Sequence, residues 1–153
     1  MPRSRLLQAL PGLVLVLFAS NANAQVPFRT LDSAMSGMRF ILSEQVLLVN
    51  SPEQMREAWL KTGRNDSPPS VDFANHSVVF YFAGIRGTGG YQLEALNLSH
   101  RGGRLELAIR ETGPGRGCGG GQVATFPYLV VETTPWRRDV GAQLSRELRD
   151  CTP

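Results

Sequence analysis

Lysine is almost missing from this chain: among 153 residues only Lys61 carries an ammonium group, against fifteen arginines. A phosphate-binding P-loop needs a lysine directly after its glycines, so that motif is excluded. Histidine is nearly as scarce, with His76 and His100, and cysteine stops at Cys118 and Cys151. Zinc takes three or four converging ligands, which two separated cysteines and two scattered histidines do not promise. There is no Gly-x-Ser-x-Gly elbow for a serine nucleophile. Both histidines fall in predicted turns, and a nucleophilic Cys118 would compete with any disulfide it forms. Glu106 and Glu111 fall on an amphipathic strand and at its end, where solvated carboxylates are expected. No catalytic constellation, metal or cofactor is expected, so the sequence points away from an enzyme.

The ends add a compartment. Arg3 and Arg5 precede an apolar stretch that is densest over residues 13–19, and Ala22-Asn23-Ala24 closes it with small residues. This is the three-zone pattern of a secretory signal peptide, residues 1–24, with cleavage predicted after Ala24. Pro11, Gly12 and Gln8 interrupt the front of the run, which disfavours a membrane span. No cysteine follows it, so a lipid anchor is not expected. Residues 25–153 then form one exported domain, periplasmic or secreted, with no membrane association. Two arginines and no acids leave with the signal, taking the formal charge from +3 to +1. Without a basic block, neither nucleic acid nor an anionic membrane is implied as partner. In an oxidising compartment two cysteines read as a Cys118–Cys151 disulfide.

The chain between reads as mainly β. Residues 25–37 hold a short edge strand, and the apolar clusters at 40–42 and 46–49 are strand material. Ser51, Pro52 and Gln54 then open a helix over about 51–62 by a capping box, with Met55, Ala58 and Trp59 inward, Glu57 paired to Lys61 outside and Gly63 at its end. Residues 78–83 are continuously apolar, as in a strand buried on both faces. Residues 91–95 alternate, and the phase flips at Leu96 and Leu98, which predicts a bulge. Gly102-Gly103 is a tight turn, and Leu105, Leu107 and Ile109 face inward on the returning strand. Residues 126–131 form a last strand. Val140, Leu144 and Leu148 at four-residue spacing predict a short C-terminal helix over about 138–149. The sum is an antiparallel sandwich or roll of the mainly β or α+β class.

Twelve of the sixteen glycines lie between Gly84 and Gly121. Gly115-x-Gly117-x-x-Gly120 matches a dinucleotide fingerprint in letters only, because a strand rather than a helix follows it. Glycine strips a loop of side chains and lets another backbone come close. The two glycine-rich loops, 86–91 and 113–122, therefore supply the candidate binding residues: Arg86, Thr88, Gly89, Gly90, Tyr91, Arg116 and Gln122. Tyr91 and Arg116 are residue types that anchor interfaces. The plain alternative is that the glycines only close turns and Tyr91 packs into the core.

Several short motifs then occur in a telling order. Val71-Asp72-Phe73, Val78-Val79-Phe80-Tyr81-Phe82-Ala83-Gly84, Thr88-Gly89-Gly90-Tyr91, Pro114-Gly115-x-Gly117-Cys118 and Gln122-x-Ala124-Thr125-x-Pro127-Tyr128 resemble the PrcB C-terminal domain family of bacterial envelope proteins. Ser36-Gly37 and the helix with Trp59 resemble its upstream part, so the likeness covers residues 36–131. The family takes its name from a subunit of a surface protease complex. The resemblance implies an envelope binding domain that associates with, or stabilises, a protease; a purely structural envelope protein is a competing reading. Gly87, where relatives often carry proline, and the three glycines at 119–121 depart from the pattern. A weaker resemblance is to chagasin-type inhibitors of cysteine proteases, immunoglobulin-like sandwiches that insert three loops into a protease cleft. There Thr88-Gly89-Gly90-Tyr91, Gly119-Gly120-Gly121 and Pro135-Trp136 would be the three loops, although the helix does not belong to that fold.

Overall fold

The computed structural model describes residues 24–36, 41–119 and 121–151. The expected signal peptide lies outside the described residues except for Ala24, as do Phe40 and Gly120. The elements run β1 (Phe28–Ser36), β2 (Gln45–Val49), α1 (Pro52–Leu60), β3 (Ser77–Phe82), β4 (Gln92–Arg101), β5 (Arg104–Pro114), β6 (Phe126–Thr133) and β7 (Val140–Arg149). One sheet has the order β1-β6-β3-β2, all antiparallel, and the other the order β4-β5-β7.

The continuous apolar runs follow from three layers. Val79 and Tyr81 of β3, with Leu129 and Val131 of β6, face the second sheet and meet Leu93, Leu98, Leu105, Leu107 and Ile109. Val78, Phe80 and Phe82, with Tyr128 and Val130, point the other way and are covered by Met55, Ala58 and Trp59 of α1. A strand pressed from both sides has no face left for polar residues, so alternation vanishes in β3 and β6. The second sheet is covered on one face only, and β5 alternates accordingly.

Local signals hold where they are local. Ser51 caps α1 by accepting from Gln54 N at 3.2 Å, while Gln54 Oε1 accepts from Asn50 N at 2.7 Å, one residue before the cap. The ion pair on the helix is Arg56 with Glu53, at 3.1 Å, rather than Glu57 with Lys61. Gly102 and Gly103 both take positive φ (57° and 79°) in the β4–β5 turn, and the register slips between Ala95 and Asn97, leaving Leu96 as the bulge.

The C-terminal helix is a correction: residues 140–149 form strand β7, parallel to β5. A spacing of four is close to one helical turn, but it is also twice the strand period, so Val140 and Leu144 share a face either way. Ala142, packed on the same core, fits only the strand. The parallel pairing follows from the path, because β6 crosses to the other sheet between β5 and β7 and reverses the chain.

Candidate functional site

β3 and β5 finish at one end of the sandwich, and the loops that leave them meet there. Arg86 N donates to Thr125 O at 2.8 Å, Thr125 N donates to Arg86 O at 2.9 Å, and Thr125 Oγ1 donates to Thr88 O at 2.9 Å. A third segment joins from β7. Gly115 N donates to Arg149 O at 2.8 Å, Arg116 N to Asp150 Oδ1 at 2.7 Å, and Cys151 N to Arg116 O at 2.9 Å. The Cys118–Cys151 disulfide, with Cα atoms 4.8 Å apart, clips the second glycine loop to the end of strand β7 rather than to a helix. Between the loops lies an open cleft of about 740 Å³, bordered by Gly89, Gly90, Gln92, Thr112, Pro114 and the disulfide.

The candidate residues divide by what they touch. Arg86 is turned inward: Nε donates to Glu111 Oε2 at 2.8 Å and Nη1 to the carbonyls of Ala83 and Ile85 at 2.7 and 3.1 Å. Its guanidinium also lies over the Tyr91 ring, 5.8 Å from the centroid. Tyr91 is half-buried because its ring lies across Gly113, where a Cβ would stand 2.7 Å from Cε1. Gly90 needs its positive φ of 89°. Thr88 is half-buried, whereas Arg116 and Gln122 are exposed. Around Gly87, Gly89 and Gly119 a Cβ would meet nothing within 4 Å, and none of the three has positive φ.

Glu111 departs from its expected place. It is buried, not solvated at a strand end, because β5 continues to Pro114 and alternation puts position 111 on the inward face with Leu105, Leu107 and Ile109. The parity was present in the sequence, and extending it two residues would have found the group. Arg86 on one side and Arg146 on the other, its Nε 3.2 Å from Glu111 Oε1, make this burial tolerable. Glu106 sits on the outward phase of β5, near Arg104 at 3.6 Å. His100 also moves: it lies in β4, stacked on Trp136 at 4.7 Å, not in a turn. His76 ends the turn begun by Asp72, its N–H donating to Asp72 O at 2.9 Å. Among the described residues, no three of His, Cys, Asp and Glu converge as metal ligands, and no helix is long and apolar enough to cross a membrane.

Residues 77–134 match the family model described as PrcB C-terminal. This segment belongs to the PrcB C-terminal family. The PrcB C-terminal segment starts with β3, passes through the first glycine loop, the β4–β5 hairpin and the second glycine loop, and ends just after β6. It is narrower than the likeness over residues 36–131, leaving α1 outside, and it does not reach β7 or Cys151. No curated protein and no solved structure matches the chain. The family name is that of a protease-complex component, which points to a protein as partner, and the disulfide is the chemistry of an oxidising compartment. The three-loop arrangement of a chagasin-type inhibitor is not formed. Trp136 donates its N–H to Ser77 Oγ at the start of β3, so Pro135-Trp136 lies at the opposite end of the sandwich from the glycine loops.

Proposed function

We propose that this chain is an exported, non-enzymatic binding domain whose cleft takes an extended segment of a protein partner, a protease or another member of a protease complex. The cleft end of the sandwich carries glycines that the fold does not require. Gly89 and Gly119 border the cleft without positive φ and without a neighbour that would crowd a side chain. Turn closure therefore gives no reason for them, whereas close approach of a second backbone does. Three clamped segments hold the rim in place, which limits the entropy lost on binding.

The test compares folding with binding. In the mature protein, Gly89→Ala and Gly119→Ala should leave stability unchanged or raise it by about 0.4–1 kcal/mol, through the unfolded chain. Both should weaken capture of the partner isolated by pull-down from envelope extract. Arg116→Ala, with an exposed side chain, should cost roughly 1–2 kcal/mol of binding with little change in melting temperature. Full-strength binding by all three folded variants would move the site off these loops. Partner lifetime and activity, measured with and without the domain, separate a stabilising subunit from an inhibitor. N-terminal sequencing of exported protein should begin at Gln25.

A further inference from the structure

Gly113 borders a second, smaller pocket beside the cleft, of about 320 Å³, walled by Arg86, Tyr91, Glu111, Arg146 and Leu148. Its lining carries two arginines and two glutamates, Arg86 and Arg146 against Glu111 and Glu147, but their pairing is uneven. Glu111 offers one carboxylate to two guanidinium groups, and Arg86 is already held by Glu111 and two backbone carbonyls. Arg146 commits only Nε, to Glu111 Oε1, and among the described residues its two terminal amines have no acceptor. Glu147 borders the same pocket, but its carboxylate lies 3.7 Å from Arg110 Nη1, and Arg110 is on the outward phase of β5. Glu44 is exposed and does not line the pocket. Close by, the Tyr81 hydroxyl is fully buried without a hydrogen-bond partner, a costly state for a polar atom in a core. Burial chiefly, then the charges of Glu44 and Glu111, hold its ionisation above the ordinary tyrosine range.

We propose that this pocket receives a carboxylate of the partner segment, either a chain terminus or an Asp or Glu side chain, on the terminal amines of Arg146 with the Tyr91 ring as one wall. A guanidinium fork matches a carboxylate edge-on, through two parallel hydrogen bonds. Gly113 belongs to both spaces, so one extended segment can lie in the cleft and turn an acidic group into the pocket. The inference rests on the cleft reading for its partner but not for its chemistry.

Small probes test it on the mature chain without a partner. N-acetyl-glycylglycine, its C-terminal amide and N-acetyl-aspartyl amide are titrated while the Arg146 Nε–H and Tyr91 ring resonances are followed by NMR. At least one carboxylate should shift both resonances saturably, roughly tenfold or more tightly than the C-terminal amide. The tighter carboxylate identifies chain end or side chain. Arg146→Gln leaves Arg86 on Glu111 and should therefore fold; it should abolish the preference, while Arg146→Lys should keep part of it. Equal response to carboxylates and amide, or an unchanged preference in Arg146→Gln, overturns the proposal. The two readings fail separately: partner capture unaffected by Gly89→Ala and Gly119→Ala counts against the cleft alone, and probes without a carboxylate preference count against the pocket alone.

Discussion

Arg86 and Glu111 face each other across the end of the sandwich, with Arg86 Nη2 2.5 Å from Glu111 Oε2 and only 14% and 3% of their side chains exposed. The pair spans the turn from β3 and the inner face of β5, so it holds the first glycine loop against the second sheet. Arg86 therefore acts on the cleft through position rather than through direct contact.

Removing one member should be costly. Arg86→Ala leaves a buried carboxylate with only the exposed Arg146 beside it, and breaking such a pair costs about 3–5 kcal/mol. Urea unfolding should show the loss as a lower midpoint at unchanged slope. Arg86→Met with Glu111→Leu removes both charges and should recover much of it. A single variant as stable as the parent would mean that the pair carries no weight.

The disulfide gives a second expectation. Cys118 and Cys151 are 33 residues apart, for which loop closure is worth roughly 3–4 kcal/mol. Cys118→Ser should lower the unfolding midpoint. The hydrogen bonds around Arg116, Asp150 and Cys151 should exchange with solvent sooner, while β3 and β6 keep their protection. Faster exchange in β3 and β6 instead would place the bridge's effect on the core rather than on the cleft.

Alkaline pH tests the helix-side layer. Tyr128 Oη donates to Asp32 Oδ2 at 2.8 Å, and burial first, then that hydrogen bond, push its phenol up to about 12. An unfolded tyrosine titrates near 10. The folded state thus holds the proton longer, so the stability this group contributes is complete below about pH 10 and is lost as pH rises through about 12. Ultraviolet titration of the phenolate should place this step near pH 12, together with unfolding, and Tyr128→Phe should flatten the decline. A Tyr128 step near 10 in folded protein would contradict it.

Much of the fold was legible because its signals are short-range. The capped start of α1, the Gly102-Gly103 turn and the slip at Leu96 each depend on a few neighbouring residues, and each lies where the letters put it. Residues 78–83 likewise announced a strand without a wet face. Of the site, the two loops could be singled out by their glycines, but not that Thr88 and Thr125 would join them. Nor could the sequence show that Arg86 would turn inward.

By itself, then, the sequence determined a mainly β chain, one early helix, the inward residues of β5 and two cysteines available for one bridge. Tertiary structure alone decided the rest. The four-residue spacing of Val140 and Leu144 serves a helix and a strand equally, and only the free edge of β5 selected the strand. Glu111 follows the inward parity of its strand, yet its burial depends on Arg86 and Arg146 arriving from 25 and 35 residues away. Contacts at that distance leave no local pattern, because they depend on which edges and loop ends remain open once the sheets have packed.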